Sequence, residues 1–577
     1  MKKTGAWLVR HALEQIGTRY TFGIPGVHNT EIYDELGRSK SITPVLVADE
    51  GGGAFMADAF GRVSSGVGVL VVVPAAGITR AASGIGEAFL DGIPMMVISG
   101  GVRTDSAFRY QLHDVDQHTL LKPLTKRTWK ITGHRQIVPA VFEACNLAIS
   151  GEPGPVYIEV PVNIQLDRGE VGSLPRYTPP PQAGMPDAQK IEEAARLLAR
   201  AKRPGMLLGW GAVRAGDISM ALADLLGAPV CTTLQGLSAF PANHPLHTGM
   251  GFGRYAVPAA ERAFRGCDCL LAVGTRFSEI ATGSFGIKPP PTIIHVDINP
   301  AVFNANYKSK VCIEGDAGTV LRMLLAGTGK LVRGARESEK LKRRIALDKK
   351  GYLQSWYRHD SGDRVNPALF FTELRKLLPD DGFVIADDGN HTFLTAELMP
   401  IRRQAGFISP TDFNCMGYAI PATIAVKLAH PDASVVGIIG DGAFMMSGME
   451  IVTAARLKLG AIFAVFNDGE LSQISQAQDV PYHRKTCTVL GEVSFSGIAE
   501  AAGAEYIAVD DNDEIEPALK KAFAACRINR PVILDVKIDY SKKTRFTEGI
   551  LITNLKRLPP GTKARMVTRA LFRRVLG

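Results

Sequence analysis

The stretch SVVGIIGDGAFMMSGMEIVTAARLKLGAIFAVFNDGE, residues 434–470, carries two short apolar runs, each closed by a polar hinge. Runs this short and this continuously apolar read as strands buried on both faces of a parallel sheet. Gly440-Asp441-Gly442 closes the first run, and Asn467-Asp468-Gly469-Glu470 closes the second. Between them lie a loop and a helical pattern around residues 449–459. A carboxylate at one strand end and a second oxygen ligand past the next strand suit one hard divalent cation held against a diphosphate. Mg²⁺ is the natural ion, since it prefers oxygen ligands and phosphate partners. Gly440 and Gly442 let the backbone approach a phosphate, and the helix that opens at Gly442-Ala443 offers free N–H groups and a positive dipole end. The plainer alternative is a surface turn that happens to contain Gly-Asp-Gly; the second hinge, at matched spacing, argues against it.

The rest of the chain fits such a site into a large soluble protein. Its 577 residues exceed what a single core accommodates. A hydrophobic content of 46% with 21% charged residues is that of an ordinary globular protein. The run 67–73 is far too short to span a bilayer. At the amino terminus Arg10, His11, Glu14 and Gln15 interrupt any signal-peptide core, while Trp7, Leu8, Ala12, Leu13 and Ile16 have helical spacing. The eight cysteines are scattered, and Cys267-Asp268-Cys269 lacks the spacing of a zinc knuckle, so a reduced, cytoplasmic setting without structural zinc is expected. The formal charge of +9 resides wholly in a basic tail, 541–577, where Lys542, Lys543, Arg545, Lys556, Arg557, Lys563, Arg565, Arg569, Arg573 and Arg574 face only Glu548. Nucleic acid or an anionic membrane attracts such a tail; a solvated arm, or one packed over its own oligomer, is the expected reading.

Strand and helix patterns alternate throughout, which predicts an α/β class of three doubly wound, mostly parallel domains. Two breaks, residues 168–186 and the charged stretch 327–364, divide the chain into units at 1–167, 186–325 and 366–540. Strands are expected at 20–23, 45–48, 67–73, 95–99 and 156–160 in the first unit, and near 206–209, 270–273 and 293–296 in the second.

With its two hinges the third unit resembles the diphosphate-binding domain of thiamine diphosphate enzymes, whose motif opens with Gly-Asp-Gly and usually closes with Asn-Asn. By that resemblance the Asp441 and Asp468 side chains and the Glu470 carbonyl hold the metal. Asp468 in place of the second Asn is a departure that keeps an oxygen ligand but adds negative charge. Asp49-Glu50-Gly51-Gly52-Gly53-Ala54, after the strand expected at 45–48, resembles the helix opening that supplies the catalytic glutamate, so Glu50 is expected to activate the cofactor at its aminopyrimidine. The alternative is a Glu that merely favours a helix N-terminus, worth ~0.3–1 kcal/mol. The family builds each site from two subunits, which implies at least a homodimer and allows a tetramer. Gly26 in the first glycine turn and Gly77 in Ala75-Ala76-Gly77, where the family has Gly-Pro-Gly, are the matching first-domain cofactor residues. Asn390 and His391 match the loop beside the diphosphate, and Met416 matches the residue that wedges between the two rings of the cofactor. The three domains are then pyrimidine-binding, central and diphosphate-binding.

Within the family the likeness is to acetohydroxyacid or acetolactate synthases, carried by residues 232–241, 273–277 and 295–300. This implies decarboxylation of a 2-oxo acid, with pyruvate expected, and carboligation to a second carbonyl compound. Val27 stands where decarboxylases carry an acid, and no His-His pair occurs in the sequence. Both departures favour carboligation over aldehyde release. Ile280 replaces the Arg that recognises the acceptor, Ala477 replaces a Trp, and His113 replaces a Gln beside the thiazolium. His113 is the candidate for an extra acid or base, with a structural histidine as the alternative; Val27, His28 and Gln476 are candidate substrate contacts. Residues 250–255 lack the Met-His-Gly pattern around the family's flavin, so no FAD is expected. The competing readings are a flavin-linked oxidase docking through its basic tail, and a degenerate scaffold or nucleic-acid-binding relative.

Overall fold

The structure is a computed structural model that describes residues 1–181 and 184–576, without the side chains of residues 480, 481, 567 and 570–576. The tail cations Arg573 and Arg574 therefore lie outside the described side chains.

Three six-stranded sheets, parallel throughout, form the centres of the three domains. In the first the order is Thr43–Leu46, Tyr20–Gly23, Gly68–Val72, Met95–Gly101, Pro155–Pro161, Thr128–Lys130. The central sheet runs His247–Met250, Val230–Thr232, Pro204–Leu208, Cys269–Val273, Thr292–Asp297, Val311–Glu314. The third runs Phe407–Ile408, Phe383–Ala386, Val435–Gly440, Ile462–Asn467, Val532–Lys537, Glu505–Val509. In each, the order reverses beside an early strand, which is the doubly wound pattern that leaves a crevice at the carboxyl ends of the strands. The inner strands Gly68–Val72, Met95–Gly101 and Val435–Gly440 are buried at every position, which is why they are apolar without alternation.

Helices begin and end where local chemistry dictates. The Thr4 hydroxyl accepts the Trp7 N–H at 3.2 Å and caps the first helix, Gly5–Gln15, whose Leu8, Ala12 and Leu13 are buried. Gly92 and Gly227 end helices in the left-handed region, where a side chain is strained. The strand-free stretch between the second and third domains contains a helix, Glu339–Tyr357, pinned by buried Ile345 and Trp356.

The first and third domains of one chain meet through the helices Glu50–Val63 and Ala419–Ala429. At their contact the fully buried Arg62 binds Asp58 at 2.6 Å and Asp91 at 2.8 Å, and the Tyr418 hydroxyl donates to Asp58 at 2.6 Å. Glu87 accepts the Thr411 and Cys415 N–H groups, both at 3.1 Å; burial, reinforced by Asp91, pushes its carboxyl up to about 9, so it sits there neutral.

The basic tail is not a solvated arm. It forms two helices, Arg545–Arg557 and Pro560–Leu576. The first packs across the central and third domains: Phe546 stacks on Phe393 with ring centroids 4.9 Å apart, and Gly549 leaves room for Tyr255. Half-buried Glu397 caps it, accepting the Arg545 and Phe546 N–H groups at 3.2 and 2.9 Å. The sequence reading counted the tail's charges and missed its apolar anchors.

Candidate active site

Asp441 opens the helix Asp441–Ser447 directly after the strand Val435–Gly440. Its Oδ1 accepts the N–H of Gly442 at 2.7 Å, and its Oδ2 accepts those of Asp468 and Gly469 at 3.2 and 2.7 Å. One carboxylate thus ties the two hinges together. Gly469, at φ +78°, makes that approach in a conformation suited to glycine. Asp468 Oδ2 accepts the Ser472 hydroxyl, while its buried Oδ1 has no partner. Burial, with Asp441 and Glu470 adding negative charge, pushes the Asp468 carboxyl up to about 6. An orphaned carboxylate oxygen beside a second buried carboxylate is a donor set that fits a hard cation. The Glu470 side chain is turned to Lys485, whose ammonium, against partial burial, holds it below the usual carboxylate range; only its backbone is available to the Asp441–Asp468 pair.

Around these carboxylates the third domain packs closely. A Cβ on Gly440 would lie 2.9 Å from the His391 ring, and one on Gly442 would strike Leu471 at 2.2 Å and meet Met416 at 3.6 Å. Ala443 is buried behind them, and Asn390 begins the helix Asn390–Leu398. Burial drives the His391 imidazole down to about 3, and its Nε2 is left without a partner. That orphan beside Gly440 is the group a diphosphate would meet. Met416 owes its position to Asp387, which the sequence reading passed over: its carboxylate accepts the Gly417 and Ala419 N–H groups at 2.9 and 2.7 Å. Asp387 touches only backbone, and no residue pattern marks such a role. The Gln476 amide, expected at the substrate, donates to the Tyr540 carbonyl at 3.0 Å.

Glu50, Gly77, Gly26, Val27, His28 and His113 gather elsewhere, at the carboxyl ends of four adjacent first-domain strands. Glu50 begins its helix behind the Asp49 cap and is 8% exposed. Its Oε1 lies 3.4 Å from where a Cβ on Gly77 would stand. Beside it Ala75 is held at φ 52°, ψ −86°, and its N–H donates to Gln117 at 3.0 Å. Buried Asn29 clamps the first glycine turn, accepting the Gly26 N–H at 2.7 Å. Val27 is 76% exposed on that turn. His28 and His113 touch edge to face, with ring centroids 5.1 Å apart.

Among the described residues, no hydrogen bond or ion pair of one chain joins Glu50 to Asp441 or Asp468, although the third-domain Glu450 accepts the Ala48 N–H at 3.0 Å. Among the described residues, the groups recorded around Glu50 belong to the first domain and those around Asp441 to the third. Exposed apolar side chains flank both: Phe108, Tyr110 and Leu112 near His113, and Met445, Met446 and Met449 after Asp441.

A separate cavity of about 510 Å³ opens at the carboxyl ends of the central strands, lined by Trp210, Arg214, Thr275, Arg276, Asp297 and Asp316 among others. Burial pushes Asp297 up to about 6. The end of residues 250–255, beside the carboxyl end of the same sheet, touches the tail helix: the Arg254 carbonyl accepts from Arg545 at 2.9 Å, and Tyr255 abuts Gly549.

Comparison with known proteins gives three consecutive matches: the N-terminal TPP binding domain of thiamine pyrophosphate enzymes over residues 3–120, their central domain over 191–324, and their C-terminal TPP binding domain over 387–536. The chain is 32% identical to the probable acetolactate synthase large subunit of Methanocaldococcus jannaschii, over 93% of this chain and 92% of that protein. It is 32% identical to the acetolactate synthase large subunit of Corynebacterium glutamicum, over 92% and 86%, and 29% identical to the isozyme 3 large subunit of Escherichia coli, over 93% and 95%. With all three domains matched in order and similarity running nearly end to end, the chain belongs to the thiamine pyrophosphate enzyme family and is similar to its acetolactate synthase large subunits.

Proposed function

We propose that this protein is a thiamine diphosphate and Mg²⁺ dependent enzyme that decarboxylates a 2-oxo acid, pyruvate being the first to test, and transfers the acyl unit to a second carbonyl compound. The observation that carries this reading is the Asp468 Oδ1, without a partner among the described residues and beside Asp441, together with the likewise unpartnered Nε2 of His391 against Gly440. Both are unmet polar groups on the site that a metal diphosphate would satisfy.

When bound, thiamine diphosphate supplies a nucleophilic carbon that makes loss of CO₂ from a 2-oxo acid feasible at neutral pH. Asp441 and Asp468 would hold the cation, with the Glu470 carbonyl as a third protein ligand. A cation held there would favour the ionised form of Asp468, whose carboxyl is raised chiefly by burial and further by Asp441 and Glu470. Gly440 and Gly442 would let the backbone approach the diphosphate where His391 and Leu471 leave no room for a side chain, and a proton on His391 Nε2 would turn that orphan into a donor. Met416, held by Asp387, shapes the apolar floor. Glu50 would hold a proton at the pyrimidine nitrogen; its place at a helix start, shielded from water, suits that task.

Since Glu50 and the Asp441 pair occupy separate places in one chain, the active unit is proposed to be at least a dimer, with the exposed apolar groups near each cluster buried between subunits. No flavin is proposed, because residues 250–255 lack the Met-His-Gly pattern that surrounds the family's flavin. The central cavity favours a second reading, a flavin-linked oxidase. The visible absorbance spectrum of the purified protein separates the two, since flavin bands would overturn the first.

Replacing Glu50 by Gln tests the mechanism. Pyruvate consumption is expected to fall at least ~100-fold, the lower range for loss of a positioned acid or base. Unchanged turnover would remove Glu50 from the mechanism.

A further inference from the structure

Between the central and third domains lies a further cavity, of about 180 Å³, that the proposed reaction does not use. The edge strand His247–Met250, the helix Glu339–Tyr357 and the turn after the helix Asn390–Leu398 contribute its walls. Much of that wall is apolar: Leu237, Met250, Val257 and Ile401 are buried there, beside half-buried Leu353. Two nitrogen-bearing side chains interrupt it. Lys349 Nζ donates to the Ala242 carbonyl at 3.2 Å and lies 3.1 Å from His247 Nδ1. An ammonium can only donate, so it selects the tautomer of His247 in which Nδ1 accepts and Nε2 carries the proton. Yet His247 is 6% exposed and its Nε2 has no partner among the described residues. Phe240 stacks on the imidazole, with ring centroids 6.4 Å apart, and limits its rotation.

Lys349 is also short of a counter-charge. Among the described residues it forms no ion pair, and the carboxylate on the same wall, Glu397, already accepts the Arg545 and Phe546 N–H groups and the Tyr352 hydroxyl. Burial, with no acid opposing it, pulls the Lys349 ammonium down to about 8. A cation without an anion and an N–H without an acceptor, set side by side in an apolar wall, are each costly until an acceptor meets them. We propose that this cavity binds a small monocarboxylate with an apolar tail, its oxygens accepting from Lys349 Nζ and His247 Nε2 and its tail lying against Leu237, Met250 and Val257. A dicarboxylate would bury a second charge with no cation to meet it, and a neutral amide would leave Lys349 without its counter-charge. No residue of the Glu50 or Asp441 clusters lines the cavity, so the inference stands apart from the reaction proposed above.

Calorimetric titration of the full-length protein with isovalerate tests it. Saturable binding of one isovalerate per chain is expected, with a Kd on the order of 0.1–1 mM. Isovaleramide, the neutral counterpart, and succinate, with its second charge, are each expected to bind at least about tenfold more weakly. Lys349→Met keeps the length of the side chain without its charge and is expected to raise the Kd for isovalerate at least about tenfold. Lys350→Met, at an exposed position of the same helix, is expected to leave it unchanged. Leu353→Trp, which narrows the cavity, is expected to weaken binding without touching either nitrogen. Absence of isovalerate binding to the wild type up to about 10 mM overturns the proposal, as does a Kd unchanged in both Lys349→Met and Leu353→Trp. Equal affinity for acid and amide overturns it as well, and decides the matter in the wild type alone where a variant does not fold.

Discussion

Ala75 shows how a single residue carries the constraint of the site. It stands where the family has a glycine, and its φ of 52° with ψ of −86° is strained for a residue with a Cβ. The Ala75 N–H is nonetheless aimed at Gln117, which also donates to Glu159 at 3.2 Å, so the turn before Gly77 is fixed from a neighbouring loop. Ala75→Gly is expected to stabilise the protein by ~1 kcal/mol, the relief of strain outweighing the extra freedom of an unfolded glycine. Thermal denaturation checks this; a lower Tm would show that the turn is not strained. Asp468 carries the opposite kind of cost. Burial raises its folded pKa from 3.8 to about 6, so between those values the folded protein holds a proton that the unfolded chain has lost. Its contribution to stability is therefore lost as pH rises through that window. Asp468→Asn removes the charge and is expected to stabilise the metal-free protein by ~2 kcal/mol at pH 8 and little at pH 4. Conversely, Mg²⁺ added with thiamine diphosphate is expected to raise the wild-type Tm more at pH 8 than at pH 5.5, since cation and proton compete for the same oxygens. A pH-independent gain would place the metal elsewhere.

At the scale of elements, the tail helix Arg545–Arg557 is held by a half-buried acid as well as by apolar packing. Glu397 accepts two N–H groups from its first turn and the Tyr352 hydroxyl, and burial still pushes its carboxyl up to about 7. A chain ending at Lys543 leaves that carboxylate short of two donors and uncovers Phe393. If the remaining contacts keep Glu397 shielded, loss of these donors raises its folded pKa further, and the loss of stability is then greater at pH 8, where the group must ionise, than at pH 6. About 2 kcal/mol or more is expected at pH 8, read from urea denaturation at the two pH values. An equal loss at both would assign the helix's contribution to packing alone. Such a helix is hard to read from sequence because its charges dominate the pattern, whereas Phe546 and Gly549 are isolated letters. The inner strands are the contrary case. Residues 68–72, 95–101 and 435–440 are buried on both faces and announce themselves as apolar runs. The edge strand expected at 45–48 lies at Thr43–Leu46, where exposed Thr43 and Leu46 interrupt that signal. The helix expected around 449–459 is broken into Asp441–Ser447, a turn at Gly448–Glu450 and Ile451–Arg456. Gly448 packs against Phe444, and the Glu450 carboxylate leaves the helix to accept the Ala48 N–H at 3.0 Å. Asp441, Asp468 and Glu50 were legible because they sit at hinges between periodic segments. Asp387 and Gln117 act by holding backbone, and the contact of His28 with His113 exists only once two loops are folded together.

The whole molecule poses the question of how the two half-sites meet. Within one chain the first and third domains are joined by the Tyr418 hydroxyl, which donates to Asp58 of the buried Arg62–Asp58–Asp91 cluster, and by Glu450, which fills the space beside Gly52, whereas Asp441 closes on Asp468 and Gly469. The proposed reaction needs Glu50 and Asp441 around one cofactor, so a second chain must supply one of them. In a twofold dimer each chain then gives Glu50 to one site and Asp441 to the other, and the two sites are equivalent. Complementation follows from that symmetry. Glu50→Gln chains and Asp441→Ala chains are each expected to be inactive alone. When the two are co-expressed, about half of the dimers are mixed, and in each mixed dimer one site receives both substitutions while the other receives neither. Activity should return to about a quarter of the wild-type value per chain, with thiamine diphosphate bound at a matching fraction of sites. Sites built within single chains would leave every site defective, and the mixture would be as inactive as its parts.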